Sequence, residues 1–444
     1  MEIALTEAGL LMLGVLFLIL GLGVWIGVAL MAVGLFGIVG LPLLFDNFNA
    51  FPAEKVMGTA VWQATASWTL AALPLFIWMG EILFRTSLSE DMFKGLAPWL
   101  RRIPGRLMHV NVIGCGIFAA VSGSSAATAA TIGKMSLPAL LARGYHAPMA
   151  IGSLAGAGTL GLLIPPSIIM IVYAVAADVS IVRLFIAGVV PGIMLMVLFS
   201  GYIAIWSLLN PKLTPPPEPR IPIWPRIKQT GSLLPVILLI MCVMGSIYGG
   251  IATATEAAVF GVLGSLALSA WGRTLTWANF RESLMGATRL SCMINFILAG
   301  AAFLTQAMAY SGIPAAMARW VGEQGWDPYT IIAALTLIYI LLGCFIDGIS
   351  MIVLTTSVVL PIIQVAGFDL IWFGIFIVLV VEMAQVTPPV GFNLFVLQGL
   401  TGRDIFTVAK NTLPFFFLMC VAVALVAVFP GIVTWLPATM MAAG

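Results

Sequence analysis

The segment from Gly114 to Pro166 restricts the fold of this chain most. Its flanks are apolar enough for lipid, but its middle is rich in Ser, Thr, Ala and Gly. Small residues let helix backbones approach closely, and hydroxyl groups bridge helices or supply oxygen ligands. The pair Pro165–Pro166 removes two backbone donors and must interrupt any helix that contains it. Because interrupted helices at membrane depth occur only where they line a cavity or are buried in protein, the segment predicts a transport site.

The same arrangement occurs a second time in the chain. A shift of 223 residues places three proline landmarks on later prolines: Pro138 on Pro361, Pro165–Pro166 on Pro388–Pro389, and Pro191 on Pro414. A Gly-Cys pair opens each copy, at Gly114–Cys115 and Gly343–Cys344. Its shift of 229 indicates that the second copy is six residues shorter between cysteine and proline. Paired interrupted apolar segments in two halves are typical of secondary transporters and point to their binding site.

Composition identifies the setting. Apolar residues make up 61% of the 444 residues and charged residues only 8%, which indicates a membrane protein with many spans. The acidic N-terminus lacks the basic region of a signal peptide, so we expect it to be retained. All five cysteines lie in apolar segments, which argues against a disulfide framework or a zinc site.

Hydropathy predicts ten full spans and two re-entrant hairpins, at Leu107–Ala142 and Tyr329–Val365. Two of the spans are Thr59–Phe84 and Asn411–Trp435, and outward loops are predicted at Pro42–Met57, Ala177–Arg183 and Gly312–Pro328. With both termini periplasmic, sixteen basic residues lie on the cytoplasmic side and three outside, in agreement with the positive-inside rule. The first hairpin then opens to the cytoplasm and the second to the periplasm, so the two halves are inverted.

The sequence thus predicts an all-α polytopic membrane protein with an inverted repeat, two re-entrant hairpins and broken helices. It divides into N-terminal scaffold helices (1–106), a first repeat with a cytoplasm-facing hairpin (107–208), a cytoplasmic linker (209–230), central scaffold helices (231–328), and a second repeat with a periplasm-facing hairpin (329–444).

Polar residues gather at the predicted hairpin turns and at the proline breaks. The turn residues are Ser122, Ser124, Ser125 and Thr128 in the first hairpin, and Asp347, Gly348 and Ser350 in the second; the breaks are Thr159–Pro166 and Thr387–Asn393. Hydroxyl groups and unwound carbonyls suit a sodium ion, and the N-terminal ends of half-helices suit an anionic substrate. The alternative, that the small residues only permit tight packing, stays open for any single hydroxyl.

Two carboxylates lie inside apolar segments, Glu81 and Glu382. Ionisable residues within spans are costly and are usually functional. Glu81 precedes Arg85 by four residues, so a structural ion pair is an equal alternative for it. Asp347 has an alternative role as the cap of a half-helix.

Several phrases of the sequence resemble the large membrane subunit of the tripartite ATP-independent periplasmic (TRAP) transporters. They are LPLFIWMGEIL, SGSSAATAATIG, GTLGLLIPPSIIMIVYA, RLFIAGVVPGI, GGIATATEAAVFG and VEMAQVTPPVGFNLFV, in this order over nearly the whole chain. The resemblance implies sodium-coupled import of an organic acid such as a dicarboxylate or sialic acid, across the bacterial cytoplasmic membrane, by an elevator-type movement. It also implies a small four-helix membrane subunit and a periplasmic substrate-binding protein as partners, with no cofactor besides the coupling sodium.

In that family, sodium is held around the hairpin turns and the proline breaks. Matched to this sequence, the implied sodium and substrate residues are Ser122, Gly123, Ser124, Ser125, Thr128, Gly156, Thr159, Pro165 and Pro166, with Asp347, Gly348, Ser350, Thr387, Pro388, Pro389 and Asn393 in the second copy.

Three other functions are alternatives. A stand-alone sodium- or proton-coupled carboxylate transporter would show the same hairpins and differs only in needing no binding protein. An intramembrane enzyme would require a catalytic pair such as two intramembrane Asp, a HExxH helix or an Asp-rich magnesium motif, and the sequence has none, so we predict no enzyme activity. An ion channel is disfavoured by the repeat with broken helices.

Overall fold

The computed structural model describes residues 2–46, 48–49, 51–86, 88–216, 222–389 and 391–442, and within these it contains helices and no strands. Arg220, one of the sixteen basic residues assigned to the cytoplasmic side, lies outside the described residues. Six helices are long and apolar enough to cross a membrane, and three bent pairs reach that length together. The prediction of an all-α polytopic membrane protein is therefore confirmed.

The chain begins with six helices that precede the repeats. They are α1 (Glu2–Gly21), α2 (Ile26–Leu35), α3 (Leu41–Leu44), α4 (Ala53–Thr65), α5 (Ala72–Phe84) and α6 (Leu88–Leu100). A π-helical turn at Phe36–Gly40 joins α2 to α3, and a 3₁₀ turn at Trp68–Ala71 leads into α5.

The first repeat contains five helices, and a linker helix and four central helices follow it. The repeat helices are α7 (His109–Ser122), α8 (Ser125–Ala142), α9 (Ala147–Leu163), α10 (Ile168–Ala176) and α11 (Ile181–Leu209). The linker and central helices are α12 (Ile223–Thr230), α13 (Leu234–Tyr248), α14 (Ala254–Trp271), α15 (Trp277–Ser311) and α16 (Ile313–Glu323).

The second repeat contains the corresponding five helices, followed by one more. They are α17 (Pro328–Gly343), α18 (Gly348–Val365), α19 (Leu370–Ala384), α20 (Phe392–Thr401), α21 (Ile405–Val428) and α22 (Gly431–Ala442). Helices α8 and α18 are both 18 residues long, and α9 and α19 begin 223 residues apart, as the proline landmarks predict.

The Gly-Cys pairs do not occupy matching places in the two repeats. Cys115 lies within α7, whereas Cys344 lies beyond the end of α17, in the turn of the second hairpin. Since α8 and α18 have equal lengths, the shorter spacing between cysteine and proline in the second copy comes from the different places of the two cysteines and not from a shorter helix. Proline has a fixed backbone requirement at a break, whereas a buried cysteine packs like any small apolar residue and marks no position.

The two repeats pack on each other reciprocally. Helix α8 of the first repeat contacts α20 of the second, and α18 of the second contacts α10 of the first. In the same way α9 contacts α21 while α19 contacts α11. Such exchanged contacts are what a two-fold relation between two similar units produces. The membrane sides of the two repeats stay predictions.

Around the repeats, α15 packs against α2, α4 and α5, and α5 also packs against α14 and α7. Helix α5 thus joins the flanking helices to the first hairpin, and α6 also packs against both helices of that hairpin. Gly80 permits this approach, because a Cβ atom there would lie 3.2 Å from the Ser122 carbonyl oxygen.

Three segments differ from the sequence predictions. The predicted span Thr59–Phe84 begins earlier, within the predicted loop, and bends by 51° between α4 and the 3₁₀ turn before α5. The predicted outward loop before Pro328 contains α16, which packs against α1 and α18. The predicted span Asn411–Trp435 ends at Val428, because α22 starts afresh after Pro430 and packs against α11. Hydropathy registers apolar length but not a change of helix direction.

Candidate functional site

The first hairpin turns at Gly123, between α7 and α8. Gly123 has φ +58°, a left-handed conformation that favours glycine. Ser124 follows as the N-cap of α8, and its hydroxyl accepts from the Ala127 N–H at 3.5 Å. The small, polar sequence at this point therefore forms a tight turn between two helices, as predicted.

The hydroxyl groups of this turn are hydrogen-bonded to one another. Thr128 Oγ1 donates to the Ser124 carbonyl oxygen at 2.7 Å. Since that uses its proton, the 2.7 Å contact between Ser122 Oγ and Thr128 Oγ1 has Ser122 as donor. The turn is thus a compact cluster of hydroxyl and carbonyl oxygens, and Ser125, the first residue of α8, is also buried beside it.

The turn of the first hairpin is joined to the first break. Gly123 accepts a hydrogen bond from the Ile168 N–H at 3.3 Å, at the start of α10. A Cβ atom on Gly161 would lie 2.5 Å from the Ser124 carbonyl oxygen, so only glycine permits the approach of α9. Ser167 caps α10 and donates to the Leu162 carbonyl at 2.5 Å. The cis Pro165–Pro166 pair lies in this connection. The turn and break therefore form one hydrogen-bonded unit.

The second hairpin turns over four residues, between Gly343 and Gly348, where Asp347 is the N-cap of α18. Its carboxylate accepts from the N–H groups of Ile349 at 3.1 Å and Ser350 at 3.2 Å. The Ser350 hydroxyl donates to the same carboxylate at 2.5 Å. The capping alternative for Asp347 is thus realised, although a capping carboxylate still presents a negative charge at the turn.

The second turn also contacts its break, by other atoms. The Cys344 thiol lies 3.3 Å from two carbonyl oxygens, that of Ile340 in α17 and that of Pro388, next to the cis Pro388–Pro389 pair, and its single proton can be donated to either. Gly348 packs against Val381 and Gln385 of the α19 end. Thr387 donates to the Met383 carbonyl at 2.8 Å.

Asn393 lies in the first turn of α20 and is fully buried. Its backbone N–H donates to the Gln385 carbonyl at 3.1 Å, which closes the second break. Neither polar atom of its side chain has a hydrogen-bond partner, and Gln385 Oε1 also has none. The second break therefore contains buried polar atoms without a hydrogen-bond partner, whereas the buried hydroxyls of Thr159 and Ser167 at the first break both have one.

Two of the predicted residues lie away from the turns. Gly156 and Thr159 are inside α9, where Gly156 packs on Phe415 and Thr159 faces Met419 of α21. The α9 residues that do meet the first hairpin are Gly158, against Ala129, and Gly161. Their spacing of three residues in AGAGTLG signals a small helix face, but sequence does not show which of two small faces meets the turn.

The two intramembrane carboxylates have different surroundings. Glu81 is ion-paired with Arg85, which also lies 3.7 Å from Glu282 of α15, so the structural alternative holds for Glu81. Glu382 is fully buried, and neither carboxylate oxygen has a hydrogen-bond partner. The described residues contain no group of three His, Cys, Asp or Glu side chains that could hold a metal, so a cation at the turns would depend on hydroxyl and carbonyl oxygens.

Comparison with known proteins gives the family. Residues 13–432 match the family model of the DctM component of tripartite ATP-independent periplasmic transporters. The chain belongs to this family. This chain is 32% identical over 391 residues to the C4-dicarboxylate TRAP transporter large permease DctM of Pseudomonas aeruginosa, and the match covers 87% of this chain and 91% of that one. It is also 32% identical to the ectoine/5-hydroxyectoine TRAP large permease UehC of Ruegeria pomeroyi, covering 83% and 86% of the two chains.

Among solved structures, the TRAP large permease is similar to the YdaH transporter of Alcanivorax borkumensis. The TM-score is 0.64 at 13% identity, over 85% of this chain and 89% of that one, which indicates a shared fold. The predicted family is confirmed, and so is the prediction that the chain is not an enzyme, since its relatives are named as transporter permeases.

Proposed function

We propose that this TRAP large permease forms the membrane pathway of a sodium-coupled importer of a small organic acid. A periplasmic binding protein delivers the substrate, and a small four-helix membrane subunit braces the helices outside the repeats. The assembly lies in the bacterial cytoplasmic membrane with both termini of this chain in the periplasm. The substrate we propose is a dicarboxylate, sialic acid or a similar carboxylate, and a relative named for C4-dicarboxylates supports the first of these.

The observation that carries the proposal is the pairing of each hairpin turn with a proline-broken helix. Each unit gathers hydroxyl or carbonyl oxygens at helix ends that lie inside the helical bundle. Unwound carbonyls coordinate cations, and half-helix N-termini attract anionic groups in secondary transporters. The sodium ligands we propose are the Ser122, Ser124 and Thr128 oxygens in the first unit, with Asp347, Ser350, Thr387 and the Pro388 carbonyl in the second.

An elevator movement fits the same contacts. The Gly123 carbonyl accepts from the Ile168 N–H, Cys344 contacts the Pro388 carbonyl, and Gly348 packs against Val381 and Gln385, so each hairpin is joined to its own break. The reciprocal packing then joins both units into one body. We propose that this body moves against the flanking helices, which contact it through α5 and α6 at the first hairpin and through α15 and α16 at the second.

Uptake into proteoliposomes tests the function. The large permease is reconstituted with the small subunit, and labelled C4-dicarboxylate is supplied with the binding protein and sodium each omitted in turn. We expect uptake only when both are present. Uptake by the large permease alone with sodium would instead establish a stand-alone transporter, and uptake without sodium would contradict sodium coupling.

Thr128→Val tests the first sodium site. Valine keeps the shape of threonine but removes one oxygen, so we expect the sodium concentration for half-maximal uptake to rise roughly three- to tenfold, which corresponds to ~0.7–1.4 kcal/mol. Thr412→Val is the matched control, because Thr412 is also buried and bonds only to its own helix, at the Val408 carbonyl. Equal sodium dependence in the two variants would show that the Thr128 hydroxyl serves packing only.

A further inference from the structure

Glu382 is a buried acid without a partner. It lies two residues before the end of α19, a helix in which every residue from Ile371 to Ala384 is buried. Neither carboxylate oxygen has a hydrogen-bond partner among the described residues, and a backbone group of Leu163, at the end of α9, lies beside it. An ionised carboxylate in such surroundings is so costly that the group takes up a proton instead, unless a cation or donors compensate its charge.

No side chain supplies that compensation in the described part of the chain. Helices α9, α10, α11, α17, α18, α21 and α22 pack against α19. The titratable and charged groups on these helices and at their ends, and at the start of α19 itself, are His146, Tyr173, Arg183, Tyr202, Asp327, Tyr329, Tyr339, Cys344, Asp347, Asp369, Asp404, Lys410 and Cys420. None of them forms a hydrogen bond or an ion pair with Glu382.

A metal cation fits this position poorly. Hard cations need several oxygen ligands at once, whereas the Glu382 carboxylate stands without a second acidic or hydroxyl ligand bonded to it. A proton needs one oxygen and no space. Apolar packing on all sides of α19 therefore suits a proton rather than a hydrated or coordinated ion.

The first repeat shows that the fold does not require an acid here. The shift of 223 residues places Glu382 on Thr159, whose hydroxyl donates to the Gly156 carbonyl of its own helix at 2.8 Å. A satisfied neutral side chain thus fills the matching position. The acid of the second turn has different surroundings: Asp347 accepts three hydrogen bonds, whereas the Glu382 carboxylate has no hydrogen-bond partner.

We propose that Glu382 is a proton-binding site of this chain. Its carboxyl group carries a proton in the packed conformation described here, and that proton must be bound before the second break can close to this packing. The proton comes from water when the break is open and returns to water when it opens again. Proton binding rests on the surroundings of Glu382 alone, while its part in transport rests on the proposed import function.

Infrared difference spectroscopy of the purified permease tests proton binding without any transport. At pH 7.5, where an exposed glutamate is ionised, we expect a carbonyl band of a protonated carboxylic acid that Glu382→Gln abolishes. Glu81→Gln is the matched control and must leave the band unchanged, because Glu81 is ion-paired with Arg85. If Glu382→Gln does not fold, Glu382→Thr copies the first repeat and serves the same comparison. A wild-type spectrum without a Glu382-dependent band would overturn the proposal.

Uptake as a function of pH tests the link to the cycle. At saturating sodium we expect wild-type uptake to fall severalfold as the pH is raised into the alkaline range in which Glu382 loses its proton. Glu382→Gln is permanently neutral, so its uptake should change little over this range. A variant that retains the wild-type pH profile would separate Glu382 from transport even where the infrared band is present, and failure of sodium coupling would leave the band unaffected.

Discussion

The two repeats have the same helices but cap them with different chemistry. In the first repeat, serine begins both α8 and α11, through Ser124 and Ser180. In the second repeat, aspartate begins the corresponding helices α18 and α21, through Asp347 and Asp404. Both residue types satisfy the free N–H groups of a helix start, but only aspartate also brings a formal charge.

The difference extends to the breaks. The hydroxyls at the first turn bond to each other and to carbonyls, so that cluster is neutral and satisfied by itself. The second unit contains a charged cap together with polar atoms of Glu382, Gln385 and Asn393 that have no partner. Backbone geometry is therefore shared between the repeats, whereas the capacity to take up further charge is concentrated in the second.

The largest loss of stability is expected at Gly161, where α9 lies against the backbone of the first turn. Gly161→Ala should destabilise the protein by at least ~3 kcal/mol, because its Cβ atom would collide with the Ser124 backbone rather than with a movable side chain. Thermal unfolding in detergent measures this. Gly201→Ala is the control, since nothing lies within 4 Å of that position in α11. Wild-type stability for Gly161→Ala would mean that the turn and α9 are not in close contact.

In the second repeat, a clash at the corresponding contact between Gly343 and Ala384 should be relieved by a second substitution. A Cβ atom on Gly343 would collide with the Ala384 side chain, so Gly343→Ala should cost roughly 1–3 kcal/mol. Ala384→Gly removes the obstacle, and the double variant should regain most of the stability and uptake. If the double variant loses as much stability as the sum of the two single variants, these residues do not touch, and the second turn lies elsewhere.

The smallest effect concerns the caps themselves. Asp347→Ala loses two backbone hydrogen bonds and one to Ser350, and should lower stability by about 1–2 kcal/mol. Ser124→Ala loses one 3.5 Å bond and should cost about 0.5 kcal/mol. Melting temperatures of both variants, measured at the same pH and salt concentration, make the comparison. A larger loss for Ser124→Ala would reverse the assignment of the stronger cap.

Much of this plan is readable from sequence because proline and glycine report backbone requirements directly. The landmarks Pro138, Pro165–Pro166 and Pro191 located the repeat, and Gly123 lies in a conformation that glycine favours. Apolar length gave most spans for the same reason: lipid imposes it on every crossing helix. These signals depend on the local backbone and on the lipid, so they can be read without knowing which helices pack together.

The rest depends on which helix faces which. Thr159 and Gly158 are neighbours in the sequence, yet one faces α21 and the other α8. Helix α22 escaped prediction because its apolar residues run on from α21, and only the restart after Pro430 separates them. Cys344 gave no sign that it would reach the Pro388 carbonyl. Such contacts are set by tertiary packing, which single-residue preferences do not encode.

The exchanged packing of the repeats also restricts the order in which the protein can be assembled. Helix α8 packs against α20, and α10 packs against α18, so helices of each repeat are buried by helices of the other repeat. When the first repeat enters the membrane, the helices that will cover it are still to be synthesised. The small-residue faces of α8 and α10 therefore stay exposed to lipid until α18 and α20 have been synthesised and inserted. Folding of this permease is completed only when its C-terminal half is in the membrane.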